Sequence, residues 1–158
     1  MNKHITGTII AICICLATHA GALQLKDLQG TWKGKRTEIR SGVGGYSTAT
    51  IIGKRGSDGG IVINEIGTSK WLGSYKIKHT FKKNGSYRAI QTFHGLILAT
   101  SSGSWRSSSK NSITISGVGR NSSGSAPFSG SLKMISKTKI VYSGKSGSTS
   151  VKISATRR

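Results

Sequence analysis

The sequence predicts an all-β fold, an antiparallel meander of eight to ten short strands that forms a closed or nearly closed, lipocalin-like barrel. A two-sheet sandwich is the alternative arrangement of the same strands. Apolar residues recur at alternate positions, which is typical of half-buried strands, and turn-forming residues separate the alternating runs. No segment after residue 22 keeps apolar residues at helical spacing for three turns.

The strands can be followed along the chain in order. The clearest one has Tyr75, Ile77, His79 and Phe81 on one face and mostly lysine on the other. Asn84-Gly85 then predicts a tight hairpin. Further strands are expected around residues 51–52, 61–63, 87–90, 113–115, 140–142 and 151–155. Turns are expected at Asp58-Gly59-Gly60 and at Lys145-Ser146-Gly147-Ser148, and looser Gly/Ser-rich loops near residues 101–104 and 121–125.

The first 22 residues are typical of a secretory signal peptide. An apolar stretch over residues 9–17 precedes Ala20-Gly21-Ala22, a small-residue pattern that signal peptidase reads. The stretch is about half as long as a membrane-spanning helix. We therefore expect residues 1–22 to be removed and residues 23–158 to form one β-barrel domain, periplasmic or extracellular, with no transmembrane segment. Cys13 and Cys15 lie in the leader, so the mature chain would have no disulfide.

Charge gives the strongest functional signal. The chain has 24 Lys and Arg against 4 Asp and Glu, a formal net charge of +20. So many positive side chains repel one another, and this favours a polyanionic partner. We therefore predict a non-catalytic binding protein whose partner is an anionic polysaccharide, lipopolysaccharide or extracellular nucleic acid, bound without sequence specificity. The residues predicted to bind it, as pairs on one strand face or at hairpin tips, are Lys33, Lys35, Lys54, Arg55, Lys76, Lys78, Lys82, Lys83, Lys137 and Lys139.

The predicted first strand resembles the opening of the calycin families. Leu28-Gln29-Gly30-Thr31-Trp32 is similar to the G-x-W of lipocalins and the L-x-G-T-W of avidins. The resemblance implies that Trp32 plugs the closed end of a barrel and that Arg157 or Arg158 packs over it. Lys33-Gly34-Lys35-Arg36 replaces the polar biotin contacts of avidins, so biotin is not implied. The alternative function is therefore a carrier of a small apolar ligand, with Trp32, Trp71, Trp105 and His79 lining the cavity or filling it.

The sequence does not favour an enzyme. His79 shares a face with apolar residues, which indicates a core histidine with a hydrogen-bond partner rather than a catalytic base. Glu38 stands two residues from both Arg36 and Arg40, which predicts an ion pair. No catalytic residue, metal site or cofactor is predicted. An unrecognised hydrolase is the third alternative, because serines are abundant and histidine and acid are both present.

Overall fold

The computed structural model describes residues 23–69 and 73–158. The predicted signal peptide and Trp71 lie outside the described residues. A short 3-10 helix, Leu25–Leu28, precedes ten strands, the upper limit of the predicted number. The strands are β1 (Gly30–Arg40), β2 (Val43–Arg55), β3 (Ile61–Ser69), β4 (Gly73–Phe81), β5 (Ser86–Phe93), β6 (Leu96–Ser109), β7 (Ser112–Asn121), β8 (Gly124–Ser136), β9 (Lys139–Ser146) and β10 (Thr149–Arg157).

The strands form one closed antiparallel barrel in chain order. Closure occurs where β1 pairs with both its successor and the last strand, so that Trp32 lies opposite Ile51 on one side and Arg157 on the other. The all-β prediction and the barrel are confirmed, and the sandwich alternative is wrong. Closure also removes the exposed sheet edges that an open meander would leave.

The two ends of the barrel differ. We call the closed end the one formed by the 3-10 helix and the turns at residues 56–60, 82–85, 110–111 and 137–138. The open end carries the turns at residues 41–42, 94–95, 122–123 and 147–148. Near the closed end the interior is packed with apolar side chains, and the largest of those that are almost completely buried are Leu28, Trp32, Ile61 and Ile113.

Trp32 closes this end in the manner that the calycin resemblance implies. Its indole Nε1 donates a hydrogen bond to the carbonyl oxygen of Leu28 at 3.2 Å. The guanidinium of Arg157 lies 4.4 Å from the centre of the indole ring, a cation–π distance. The Arg157 Nη2 also donates to the backbone carbonyls of Asp27 and Gln29. One arginine from the last strand therefore ties the entry segment to the first strand.

The Gly/Ser-rich stretch at residues 101–104 is not a loop, contrary to the prediction, because it lies within β6. Its Gly103 faces Gly117 across the β6–β7 pair. A Cβ on Gly103 would lie 2.0 Å from the backbone oxygen of Ser116, and one on Gly117 would lie 2.1 Å from that of Ser102. Glycine is needed here for the close approach of two strands, which a turn-based interpretation of composition misses.

Within the described residues, no helix has the length and apolar character needed to span a membrane.

Candidate ligand cavity

A cavity of about 270 Å³ occupies the barrel between the apolar core and the open end. Inward positions near it carry small side chains, including Ala89, Ala99, Ser101 and Gly144, and this leaves the space unfilled. Its lower wall is aliphatic and aromatic, formed by Trp32, Ile51, Ile63, Ile77, Phe81, Tyr87, Ile115, Phe128, Leu132, Ile140 and Ile153. The cavity is thus apolar toward the closed end.

Toward the open end the wall is charged. Arg36 lies between two carboxylates: its Nη1 donates to Oε1 of Glu65 at 2.7 Å, and its Nη2 lies 3.4 Å from Oε2 of Glu38. The other Glu38 oxygen accepts a hydrogen bond from Nε of Arg40. Both glutamates are buried, whereas the Arg40 side chain is 41% exposed and lies at the mouth. The predicted ion pair of Glu38 with its arginines is confirmed, but it lies inside the barrel.

Glu65 is the most strongly held charge in this cluster. Besides Arg36, the Tyr75 hydroxyl donates to its Oε1 at 2.7 Å, and His79 Nε2 lies 3.6 Å from its Oε2. Burial by itself raises the pKa of Glu65, but His79, Arg36 and Tyr75 together outweigh burial and lower that pKa to about 2. The carboxylate therefore stays charged at any physiological pH, and the same pairing keeps Arg36 charged.

Two further tyrosines contribute polar atoms to the wall. The Tyr87 hydroxyl is 2.8 Å from Nδ1 of His79, and burial raises the pKa of Tyr87, so the phenol stays protonated. Tyr142 lies flat against the inner surface over Gly130 and Gly144, where a Cβ on Gly144 would lie 2.2 Å from the phenol oxygen. Burial raises the pKa of Tyr142 as well. Hydrogen-bonding groups thus line the cavity on the open-end side of its apolar part.

The residues predicted for the cavity are not brought together as a set. Trp32 and His79 line it, from the floor and the side respectively. Trp105 does not line the cavity, because it lies nearer the closed end. There its ring contacts Phe81 edge-on and its Nε1 donates to the Lys82 carbonyl oxygen. Trp71 lies outside the described residues. His79 has the hydrogen-bond partner that the prediction of a core histidine requires, the Tyr87 hydroxyl, although its side chain is 22% exposed.

The sequence analysis did not identify Arg36 and Glu65 as cavity residues, although the sequence contains a pattern that places them inside the barrel. Trp32 must point inward, and residues two apart on a strand share a face. Counting by twos from Trp32 places Arg36, Glu38 and Arg40 inside the barrel, as the structure shows. The same count from buried Ile61 and Ile63 places Glu65 inside.

The predicted polyanion-binding residues are all exposed but form no single patch. Lys33, Lys35, Lys76 and Lys78 stand on the outer wall, in β1 and β4, whereas Lys54, Arg55, Lys82, Lys83, Lys137 and Lys139 lie near the closed end. One pairing is wrong: Lys137 lies in the turn after β8, and only Lys139 belongs to β9, so the two do not share a strand face. A bulge between Met134 and Ser136 shifts the register just before this turn.

The cavity offers hydrogen-bond donors and acceptors but no obvious metal ligands. Within residues 23–69 and 73–158, no group of three or more His, Asp and Glu side chains could hold a metal ion. His79 contacts Tyr87 and Glu65, and the serine that the hydrolase alternative requires is not among the contacts found for it in the described chain.

Comparison with known proteins gives matches among solved structures only. No known protein family matches the sequence, and no curated protein matches it. The S-type phycobiliprotein lyase CpeS from Guillardia theta is similar with a TM-score of 0.56 at 8% identity, over 85% of this chain and 90% of that one. Rv2717c from M. tuberculosis is similar with a TM-score of 0.58 at 11% identity, over 85% and 94% of the two chains.

The likeness is one of fold. Together with the closed ten-stranded topology, it supports a calycin-like or lipocalin-like barrel, as the first strand led us to expect. At these identities it carries no ligand or activity to this chain.

Proposed function

We propose that this protein binds a small, mainly apolar molecule inside the barrel. The observation that supports this proposal is the cavity of about 270 Å³, apolar toward Trp32 and polar toward the open end. Ligand sites in proteins are typically concave and mostly apolar, with a few polar groups that fix orientation. The volume lies near the lower end of the usual range for such sites, about 300 Å³, so the ligand is small.

The wall chemistry also defines how the ligand is oriented. Its apolar part contacts the aliphatic side chains around Ile77 and Ile115, where burial removes it from water. Its polar group lies beside Arg36, Tyr142 and Arg40, because these residues line the upper part of the same cavity. Arg36 is paired with Glu65 and Glu38, so an uncharged hydrogen-bonding group is accommodated there without leaving a buried charge unpaired.

The test is titration with a polarity-sensitive fluorescent probe that brightens in an apolar environment. We expect saturable binding, accompanied by a change in tryptophan emission because Trp32 lines the cavity floor. Ala89→Leu, which places extra volume in the cavity, should weaken binding by at least about tenfold. Thr100→Leu is the matched control, since Thr100 follows Ala99 on β6 and points to the outer face. Equal binding by both variants would exclude the interior as the site.

A second function, binding of anionic polymers, is favoured by a different observation. Of the four acidic residues, Glu38 and Glu65 point into the barrel, and Asp27 and Asp58 lie before β1 and in the β2–β3 turn. No described strand therefore carries an acid on its outer face, while lysines and arginines are spread over that face. A uniformly basic wall suits a partner recognised by charge alone.

This second proposal is tested with heparin at increasing salt. Charge-driven binding releases counterions, so affinity should fall steeply as salt rises. Exchanging Lys76 and Lys78 for glutamate should weaken heparin binding without unfolding the domain, because both side chains are exposed. Heparin binding that is insensitive to salt, or that survives this double exchange unchanged, would contradict the proposal.

A further inference from the structure

The exposed apolar side chains are distributed unevenly between the two ends of the barrel. The described residues include eight large hydrophobic side chains that are exposed. All except Ile135 lie on strands within three residues of the open end. We call six of these the apolar arc: Ile39, Val43, Tyr46, Ile66, Leu96 and Ile97. Tyr46, Leu96 and Ile97 are the most exposed of them, at 80%, 69% and 65%.

The apolar arc occupies one half of the rim. Its members belong to β1, β2, β3 and β6, so it runs along the part of the barrel from β1 to β6. The strand pairing links two of them across the outer face: Ile66 pairs with Lys76, Lys76 with Thr92, and Thr92 with Ile97. The other half of the rim has one exposed aliphatic side chain, Val118 on β7 at 39%, beside the polar turns Ser122-Ser123 and Gly147-Ser148. The apolar side chains are therefore concentrated on one side of the mouth.

The charges beside the apolar arc are positive. Lys76 stands on the outer face between Ile66 and Thr92, and Arg40 reaches the mouth with 41% of its side chain exposed. The nearest acids, Glu38 and Glu65, are buried inside the barrel and neutralised by Arg36, Arg40 and their other partners. A partner that meets this rim thus encounters aliphatic side chains, a tyrosine and cations.

We infer that the apolar arc docks on an anionic lipid surface. Separate hairpin tips that carry aliphatic side chains and an exposed tyrosine suit insertion into the interface between headgroups and acyl chains. Adjacent lysine and arginine side chains are attracted to the anionic headgroups of such a surface. A protein partner would require a continuous complementary face, whereas the arc is divided among several tips around a mouth.

Docking at this end has a consequence for the proposed ligand. The cavity reaches the mouth beside Arg40, Thr149 and Val151, so the docked barrel would open toward the lipid. An apolar molecule would then pass between bilayer and cavity without crossing water, which avoids the cost of hydrating its apolar surface. This consequence rests on the proposed function, but the docking itself does not.

The experiment is cosedimentation of the ligand-free protein with vesicles. We expect binding to vesicles of phosphatidylglycerol mixed with phosphatidylcholine and much weaker binding to phosphatidylcholine alone. The double exchange Leu96→Ser and Ile97→Ser should reduce binding to the anionic vesicles by at least about tenfold, because two apolar side chains no longer enter the interface. Neither residue lines the cavity, so uptake of the fluorescent probe should be unchanged in this variant.

Two control variants separate docking by the arc from general stickiness or charge. Ile135→Ser removes an exposed apolar side chain near the closed end, and Lys82→Gln with Lys83→Gln removes charge there. Both should bind the vesicles as the unchanged protein does. The inference is overturned if the protein binds neither vesicle, if the Leu96/Ile97 variant binds normally, or if either closed-end variant loses as much binding. If the unchanged protein binds the anionic vesicles but does not take up the fluorescent probe, the docking stands and the proposed ligand is contradicted.

Discussion

Glu65 shows how a buried charge can be accommodated in a barrel whose described residues include neither a cluster of metal-ligating side chains nor a cysteine. An isolated carboxylate in an apolar interior would be expected to protonate. Here Arg36, Tyr75 and His79 converge on its two oxygens from β1 and β4, the strands on either side of the β2–β3 pair. The cluster stays charged, and it links three parts of the wall through one side chain.

This pairing predicts a specific dependence of stability on pH. The folded-state pKa of Glu65 is about 2, below its ordinary 4.5, so its contribution is fully present above about pH 5 and is lost as pH falls toward 2. The lost contribution should be on the order of 3 kcal/mol. Urea unfolding at a series of pH values should show this loss.

Two variants identify the group responsible. Glu65→Gln should be destabilised near neutral pH, because Arg36 loses its closest partner, and its stability should vary less between pH 5 and 2. Asp58→Asn is the control: hydrogen bonds from the backbone lower the pKa of Asp58, but its carboxylate is exposed in a turn. If the Asp58 variant flattens the profile as much as the Glu65 variant does, the assignment to Glu65 is wrong. Should Glu65→Gln not fold, titration of the Glu65 carboxyl by NMR replaces it.

Trp32 supports a second prediction at the scale of one residue. Its side chain is fully buried, with the Leu28 carbonyl below it and the Arg157 guanidinium over its ring. Trp32→Ala should therefore lower the free energy of unfolding by about 3–5 kcal/mol in urea. Trp105→Ala should cost less, because Trp105 is only partly buried. Equal losses would mean that the burial of Trp32 contributes no more to the free energy of unfolding than the partial burial of Trp105 does.

At the scale of the strand, β1 illustrates which features of the structure the sequence predicts and which it does not. Alternation along one strand identifies its two faces, and it predicted the strands and the outward lysines of β1 and β4. The turn at Asn84-Gly85 was predicted by the Asn-Gly pair itself. It does not give the register between strands. Arg36 pairs with Ser47 whereas Glu65 pairs with Ile51, so their contact depends on how β1, β2 and β3 are aligned. At this level the inner face of β2 carries the small side chains of Ser47 and Ala49.

The pair β8–β9 offers a test at the same scale, because Gly130 and Gly144 face each other beneath the Tyr142 phenol. Gly144→Ala would place a Cβ where the phenol lies and drive Tyr142 into the cavity. We expect probe binding to weaken by about tenfold while the barrel stays folded, since the far end of a side chain can move into open space. Gly144→Ala combined with Tyr142→Ala should bind the probe as Tyr142→Ala alone does, because the added Cβ then has no phenol to displace. Weaker binding by the double variant would show that the strand, not the tyrosine, is disturbed.

At the scale of the whole molecule, the charges are divided between the two surfaces of the barrel wall. Composition predicted a basic protein. The structure adds that the two acidic residues on strands, Glu38 and Glu65, lie inside the barrel, where they neutralise Arg36 and Arg40. Apart from these four residues the full sequence has 22 Lys and Arg (24 less 2) against 2 Asp (4 acids less 2), a more one-sided ratio than 24 against 4. Composition could not reveal this division, because it depends on which strand face points inward.

This division predicts how stability should respond to salt. Like charges on the outer wall repel one another and destabilise the compact state, and this repulsion is screened when the Debye length falls from about 30 Å at 0.01 M salt to about 8 Å at 0.15 M. The interior pairs around Arg36 are buried and are screened much less. The urea midpoint should therefore rise with sodium chloride over this range. Exchanging Lys76 and Lys78 for glutamine should raise the low-salt midpoint and reduce the salt response, because both side chains are exposed on the outer wall. A midpoint that falls with salt would mean that the interior pairs, not the outer repulsion, dominate the electrostatics of the fold.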